Sequence, residues 1–408
     1  MRAKSKSNNT FVVDVGTSKI AMILAKVSDI RDGIEIIDSY CASSVGVKEG
    51  VIADPHALRD VVRHCFSHFF RHMNDKKTDV YVTLPSSVLT SILTETKLNI
   101  AGHAVTYKDI NKMAIEADNN NCKKRNLDTI HSFVYNYSID GYDGIVSPIG
   151  MHGNTLICDT HFVACQDSTI MNISSFFENC GISVNHYVCG HYAGTCSTIT
   201  EDETELGVCV IEFGGGVTSI SIFHEKHMVY IGYVPYGGMN ITNDIAKTFG
   251  VKIKDAEKIK NLHANLLEYK QSGQVIIEDC DTQYDQEITT ALLDEIVKAR
   301  IEEIIEMLLK KCPNEWMKKV SACVLIGGST KIVGIDELIR KMSGIKTRIG
   351  RPIKKFSPDD RLEVEYANAI GVLKFINDQK IRHRKYTMLR STSSVEGILQ
   401  KIKKIFLE

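Results

Sequence analysis

The sequence predicts an α/β fold made of two related lobes, with a small α+β module inserted in the first. Three observations predict it. Phe11-Val12-Val13-Asp14-Val15-Gly16-Thr17-Ser18 reads as an apolar strand that ends in an acidic residue and a glycine turn, and a second strand pattern follows from Lys19 to Leu24. The arrangement returns about 200 residues later. There a strand pattern from Leu206 to Phe213 carries Glu212 near its end, the triplet Gly214, Gly215 and Gly216 follows, and a strand pattern runs from Val217 to Phe223. Asp14 and Gly16 stand in the same relation as Glu212 and Gly214. The third observation is another strand delivered to glycines, Val324-Leu325-Ile326-Gly327-Gly328-Ser329-Thr330. Glycine has no Cβ, so consecutive amides can line a concavity close to phosphate oxygens. A plain turn explains any one of these motifs alone, and the repetition argues for two lobes facing one ligand.

Size and composition agree. A chain of 408 residues is long for one core and suits two lobes. It is 43% hydrophobic and 24% charged, an ordinary globular balance. The formal charge of -1 implies no general affinity for nucleic acid. Twelve cysteines lie largely in apolar runs, as Cys158, Cys165, Cys209 and Cys323 do, and none forms a Cys-x-x-Cys pair. Reduced, buried thiols in a cytosolic protein are expected. His64, His68 and His72 have helical spacing, which marks a helix surface rather than a metal site. No run of 18 apolar residues is present, and the polar, basic first ten residues read as a frayed end without the apolar stretch of a signal peptide.

The first lobe starts in residues 1–84. Strands are expected over 11–24 and 34–47, with Asp32-Gly33 as a turn. A helix is expected over 54–72, where Asp54 caps, Pro55 takes the first position, and Ala57, Leu58, Val61, Val62, Cys65, Phe66 and Phe69 form one apolar face. Val80 to Leu84 is a short strand. Residues 85–165 read as the inserted module: a helix at 107–121, a strand from Ile130 to Ile139, turns around Asp140-Gly141, and a strand from Thr155 to Cys165. Residues 166–204 return to the first lobe, with a helix at 167–180 and an acidic, polar boundary at 200–205. The second lobe is divided into 205–250, 251–319 and 320–377. Its clearest helix runs from Ile288 to Leu309, whose apolar stripe is a core face. A further helix is expected over 364–376, and the basic stretch 378–394 is read as a flexible linker.

The last segment, 395–408, has its own character. Val395, Ile398, Leu399, Ile402, Ile405 and Phe406 share one helical face, and Lys401, Lys403 and Lys404 lie elsewhere around the helix. So short a helix is marginal in water and needs a surface. An anionic membrane interface is one such surface, and the protein's own body or a partner groove is the other.

The residues themselves predict a nucleotide held between lobes. Gly16, Thr17 and Ser18 would wrap terminal phosphates from one side, and Gly214, Gly215 and Gly216 from the other. Asp14 would hold Mg²⁺ directly or through water, since a triphosphate needs charge neutralisation. Lys19 either approaches a phosphate or lies on a strand surface. Gly327 and Gly328 would pass close to the purine or the α-phosphate. The Walker and dinucleotide-binding patterns are absent.

These three motifs resemble the actin, Hsp70 and sugar-kinase superfamily. More closely, the chain resembles the FtsA family of bacterial cell-division proteins over nearly its whole length. The stretches that carry this are Asp14 to Lys19, Val45 to Ile52 with Asp54, Ser147-Pro148-Ile149-Gly150-Met151-His152-Gly153, Asp202 to Gly216, Pro235-Tyr236-Gly237-Gly238-Met239-Asn240 continuing to Ala246, Leu325 to Thr330, and the terminal amphipathic segment. The resemblance implies a duplicated, actin-like (ribonuclease H-like) ATPase fold in which a small domain replaces one actin subdomain at a different position. It implies ATP and Mg²⁺ in the cleft, with Gly237, Gly238, Asn240 and Ser329 contributing and Glu257 and Lys260 near ribose and base. Solvent-facing helix charges are the other reading of that pair. It also implies head-to-tail protofilaments on the cytoplasmic face of the inner membrane at the division septum. The C-terminal tail of the tubulin-like GTPase FtsZ would bind the second lobe, and other division proteins would meet the small domain.

Two departures stand out. Glu212 occupies a position where the family usually has aspartate, which displaces the carboxylate by roughly an ångström. Cys189-Gly190-His191-Tyr192-Ala193-Gly194 replaces a usual Glu-Pro stretch. Retained ATP binding with at most weak hydrolysis is therefore expected. A small-molecule kinase of the same superfamily, or a pilus-assembly or rod-shape actin homologue, are the rival readings. The first lacks a convincing catalytic aspartate and leaves the terminal segment unexplained.

Overall fold

The computed structural model describes residues 9–30, 33–73, 78–267, 274–277, 286–352 and 366–390. Two five-stranded sheets dominate. In the first, the strands run in the order His186–Cys189, Thr78–Leu84, Asn9–Val15, Lys19–Val27, Ile34–Ser43. In the second, the order is Lys346–Ile349, Ala322–Ile326, Val208–Phe213, Thr218–His224, His227–Val234. In each sheet the last three strands are antiparallel neighbours and the others join in parallel. The connectivity is therefore the same twice, and the paired motifs at Asp14 and Glu212 occupy equivalent strands.

Each sheet carries its own core. Phe11, Val13, Ile20, Met22 and Leu24 pack against Leu58, Val62, Cys65 and Phe69. Asp54 caps that helix, Pro55–Ser67, by accepting from the amides of His56 and Ala57, as the sequence pattern predicts. In the second lobe Ile211, Phe213, Ile220 and Ile222 pack against Leu293, Val297, Ile301, Ile304 and Leu308 of the helix Thr290–Lys311. The opposite face of the first sheet is covered by the helix Ala367–Arg390, through Ala369, Ile370, Val372, Leu373 and Ile376.

The inserted module is a three-stranded antiparallel sheet, in the order Leu89–Asn99, Thr155–Gln166, Leu127–Ile139, with the helix Tyr107–Asn121 on it. Thr106 and Asp109 close a capping box at the start of that helix. The module also touches the second lobe. His161 is buried, donates from Nδ1 to the Met228 carbonyl at 2.8 Å, and meets the Ser91 hydroxyl through Nε2 at 2.8 Å.

The polar boundary expected at 200–205 takes the form of the short helix Glu201–Leu206, which Thr200 and Glu203 cap reciprocally and Arg348 pins through Glu203. Two readings of the sequence need correction. The last part of 320–377, expected in the second lobe, is the start of the helix Ala367–Arg390 and packs on the first sheet instead, because its apolar face fits Val12, Ile23, Ala25 and Val27. The stretch read as a linker from 378 is helical as far as Arg390. It holds no proline or glycine to stop the helix, and its first residues are tied down. Lys380 donates to the Val27 carbonyl at 2.8 Å, and Asn377 donates to the carbonyls of Ser28 and Ile30. Asp32 and the terminal segment with Val395, Ile398, Leu399, Lys401, Ile402, Lys403, Lys404, Ile405 and Phe406 lie outside the described residues. Among the described residues the cysteines are free thiols, nearly all buried, with Cys41 exposed. None of the described helices is long and apolar enough to cross a membrane.

Candidate nucleotide site

The ends of the equivalent strands meet across a cleft of about 280 Å³ between the two sheets. Two turns with the same hydrogen bond form its walls. The Gly16 amide donates to the Lys19 carbonyl at 2.8 Å, and the Gly214 amide donates to the Val217 carbonyl at 3.0 Å. The turns face each other. A Cβ on Gly215 would stand 3.0 Å from the Ser18 side chain, and one on Gly216 would stand 2.6 Å from the Thr17 hydroxyl. Thr17 is in turn fixed by the Gly50 amide, which donates to its Oγ1 at 3.0 Å.

Further glycines let the second wall close up. A Cβ on Gly237 would lie 2.5 Å from the Gly214 carbonyl oxygen, and the amides of Gly238 and Met239 donate to the carbonyls of Gly214 and Gly215. Asn240 accepts from the Gly237 amide at 2.9 Å and so starts the helix Gly238–Phe249. Gly327, with a φ of +96°, lies against the backbone of Phe213. Only glycine takes that conformation freely.

The cleft brings together Asp14, Gly16, Thr17, Ser18, Lys19, Glu212, Gly214, Gly215, Gly216, Gly238, Glu257, Lys260, Gly327, Gly328 and Ser329. Gly237 and Asn240 are not on its surface. They stand behind the Gly214–Gly216 turn and shape it. Lys260 is not a solvent-facing helix charge. It is almost fully buried and donates to the Gly238 carbonyl at 3.1 Å, the Thr242 hydroxyl at 2.8 Å and Glu257 at 2.6 Å. Burial pulls the Lys260 ammonium below its ordinary value, against the attraction of Glu257. Glu257 sits low: burial pushes it up, and the Lys260 charge with the hydrogen bonds of Lys260, Thr242 and Asn261 more than offsets that.

Two carboxylates occupy the floor. Asp14 is buried and accepts from the Thr83 hydroxyl at 2.5 Å. Burial holds its carboxyl above the usual range, and the nearby Glu212 charge adds to this, while Thr83 and Lys19 act the other way. Glu212 is held low. Its burial is more than offset by His191, which donates from Nδ1 at 3.2 Å, by Asn368, which donates at 3.0 Å, and by the Lys19 charge. Oppositely shifted carboxyls on one floor suit a site that receives both cation and anion.

Sequence reasoning missed Thr83, Ser86, Ser219, Asn261 and Asn368, and saw His191 only as a departure. All six line the cleft. Ser86 lies one residue past the strand beside Asp14, and its hydroxyl is buried without a protein partner. That strand and its Pro85 turn were the available signal. Asn368 has none, because its helix reaches the floor only through the tertiary fold. Among the described residues no group of three or more His, Cys, Asp or Glu side chains is arranged to hold a metal by itself.

Comparison with known proteins agrees with this architecture. Residues 209–371 match the family model of cell division protein FtsA, and residues 87–164 match that of the SHS2 domain inserted in FtsA. The second match coincides with the three-stranded module. The chain is 29% identical to cell division protein FtsA of Agrobacterium fabrum over 367 residues, 86% of this chain and 83% of the relative. It is 24% identical to FtsA of Escherichia coli K12 over 408 residues, 96% of this chain and 95% of the relative. Among solved structures it resembles MreB5 of Spiroplasma citri bound to ADP, with a TM-score of 0.56 at 14% identity over 93% of this chain and 99% of the other. It also resembles the PilM–PilN type IV pilus biogenesis complex, with a TM-score of 0.58 at 15% identity over 92% of this chain and 98% of the other. These likenesses give the fold as actin-like. The duplicated sheets, the inserted module and the matches along the chain lead to one conclusion: this chain belongs to the FtsA family of cell-division proteins.

Proposed function

We propose that the chain binds ATP with Mg²⁺ in the inter-lobe cleft and works as a membrane-tethered, actin-like filament in cell division. One observation carries the nucleotide reading. Matching turns from two topologically equal sheets face each other across a single cleft, and glycine is sterically required where they meet. The donor set suits the ligand. Asp14 offers a buried carboxylate to a cation, Lys19 and the glycine turns offer positive charge and amides to phosphates, and the unpartnered Ser86 hydroxyl remains free for a ligand or its water. Glu257 and Lys260 would stand on the ribose and base side. Mg²⁺ bound at Asp14 would neutralise phosphate charge. The MreB5 structure was determined with ADP bound, which makes a nucleotide in the equivalent cleft the natural expectation.

Membership of the division family supports the wider role: head-to-tail self-association, attachment of the FtsZ C-terminal tail to the second lobe, and recruitment of later division proteins through the inserted module. The segment 395–408 would hold the protein on the anionic cytoplasmic leaflet as a peripheral protein at the septum.

Calorimetry with ATP·Mg²⁺ tests the cleft. Gly215→Asp places a charged side chain against Ser18 and should weaken binding at least about tenfold. Identical binding by both proteins refutes the assignment. Sedimentation with anionic liposomes tests the tail. Full-length protein should pellet, a 1–394 truncation should stay in solution, and Ile402→Glu should pellet less. Equal pelleting of full-length and truncated protein removes the anchoring role.

A further inference from the structure

The strand Val208–Phe213 alternates between two faces. Cys209, Ile211 and Phe213 enter the second-lobe core. Glu212 lies on the other face, and its cross-strand partner is Ser219, with Ser221 two residues further on the same side. All three are polar, and Ser219 and Ser221 are buried. Their face looks onto the first lobe. The contact there is His191, from the helix Gly190–Thr198, which is 1% exposed. Its ring is wedged between two second-lobe side chains, with Nδ1 at 3.2 Å from Glu212 Oε2 and Nε2 at 2.9 Å from Ser221 Oγ. The Glu212 carboxylate accepts the Nδ1 proton, and Nε2 pairs with the Ser221 hydroxyl. The second oxygen of Glu212 accepts from Asn368 on the helix Ala367–Arg390, which packs on the first sheet. Asn368 comes this close because it lies against Gly194, where a Cβ would stand 2.4 Å from its Oδ1. Both oxygens of one second-lobe carboxylate are thus held by first-lobe donors at the floor of the cleft.

We propose that His191 is a positioning residue, which fixes Glu212 across the lobe junction and thereby sets how long a nucleoside triphosphate stays bound. The inference rests on the nucleotide reading above. A ligand gripped by turns from both lobes leaves when the lobes part. Parting separates His191 from Glu212 and Ser221, and leaves a largely buried carboxylate short of its donors. In this chain the longer glutamate side chain and the histidine occur together, and the imidazole spans the gap between the helix and that carboxylate.

The test is stopped-flow release of N-methylanthraniloyl-ATP·Mg²⁺ from full-length protein, chased with unlabelled ATP. His191→Ala should speed release at least about tenfold and change the association rate less than about threefold, since charge-assisted contacts are lost only on the dissociation side. Imidazole added to that variant should slow release again. His191→Ala and Glu212→Gln together should be no faster than the faster single variant. Ser221→Ala, a change of one oxygen, serves if the histidine cavity prevents folding, and should speed release about threefold or more. Unchanged release in either single variant, or effects of His191 and Glu212 that add, overturns the proposal. Wild-type protein that binds no labelled nucleotide overturns the cleft assignment beneath it. Wild-type protein that binds but is insensitive to His191 and Ser221 overturns the positioning role alone.

Discussion

Gly216 meets both the Thr17 side chain and the backbone amide of Glu49, where an added Cβ would stand 2.6 and 3.1 Å away. A side chain there cannot be absorbed by one flexible neighbour. Gly216→Val should therefore lower ATP·Mg²⁺ affinity at least about tenfold in calorimetry, and far-ultraviolet circular dichroism should stay unchanged because the lobe cores are untouched. At His161 the relevant quantity is a proton. Burial lowers its imidazole from the ordinary 6.5 to about 4. Between those values the unfolded chain binds a proton that the folded chain refuses, so stability is full above pH 6.5 and is lost as pH falls toward 4. Relative to a His161→Gln variant, wild type should lose about 2–3 kcal/mol of urea-denaturation stability between pH 7 and pH 4.5. Parallel pH curves for the two proteins contradict this. The sequence could name Gly216, because a glycine triplet after an acid-ended strand has few purposes. It could not flag His161, which looks like any strand residue until a second lobe covers it.

Elements were legible where one periodicity ran unbroken between clear stops. The Pro55–Ser67 helix, with its cap and apolar face, and the long Thr290–Lys311 helix are of this kind. Legibility failed where tertiary contacts decide the end of an element. The stretch past residue 377 holds no helix breaker, but its lost apolar periodicity does not call for a helix either. The last described helix continues because Asn377 and Lys380 find carbonyls on the turn after the first hairpin. The same helix crosses Gly190–Thr198 very closely, and a Cβ on Gly371 would fall 1.7 Å from the Ala193 carbonyl oxygen. In an isolated helix Gly→Ala gains up to about 1 kcal/mol. At this crossing the sign reverses, and Gly371→Ala should destabilise the protein by about 1–3 kcal/mol in urea denaturation. An increase in stability would mean that the helices can separate at no cost.

For the whole molecule, the duplication was the strongest signal in the sequence, and it predicted the architecture because equivalent strands need equivalent turns. How the two halves grip each other was not legible. Glu212, His191, Ser221 and Asn368 come from four separate elements, and no pattern within any one of them announces the others. A ligand bound by both halves stabilises the pair by mass action. At 100 times its dissociation constant, ATP·Mg²⁺ should add about 2.7 kcal/mol, seen as a rise in melting temperature that Gly215→Asp abolishes. An unchanged melting temperature at saturating nucleotide contradicts binding between the lobes.

The helix Ala367–Arg390 is also a strut about 36 Å long, fastened to the first lobe from Ala369 to Lys380. Only residues 391–394 separate its end from the amphipathic segment proposed to grip lipid. The five Cα steps from Arg390 to Val395 reach no more than about 18 Å in any conformation. A bilayer that captures the tail would therefore limit how far the body can stand from it. In the proposed filament every subunit would be held within that reach, so membrane curvature and filament curvature would be coupled.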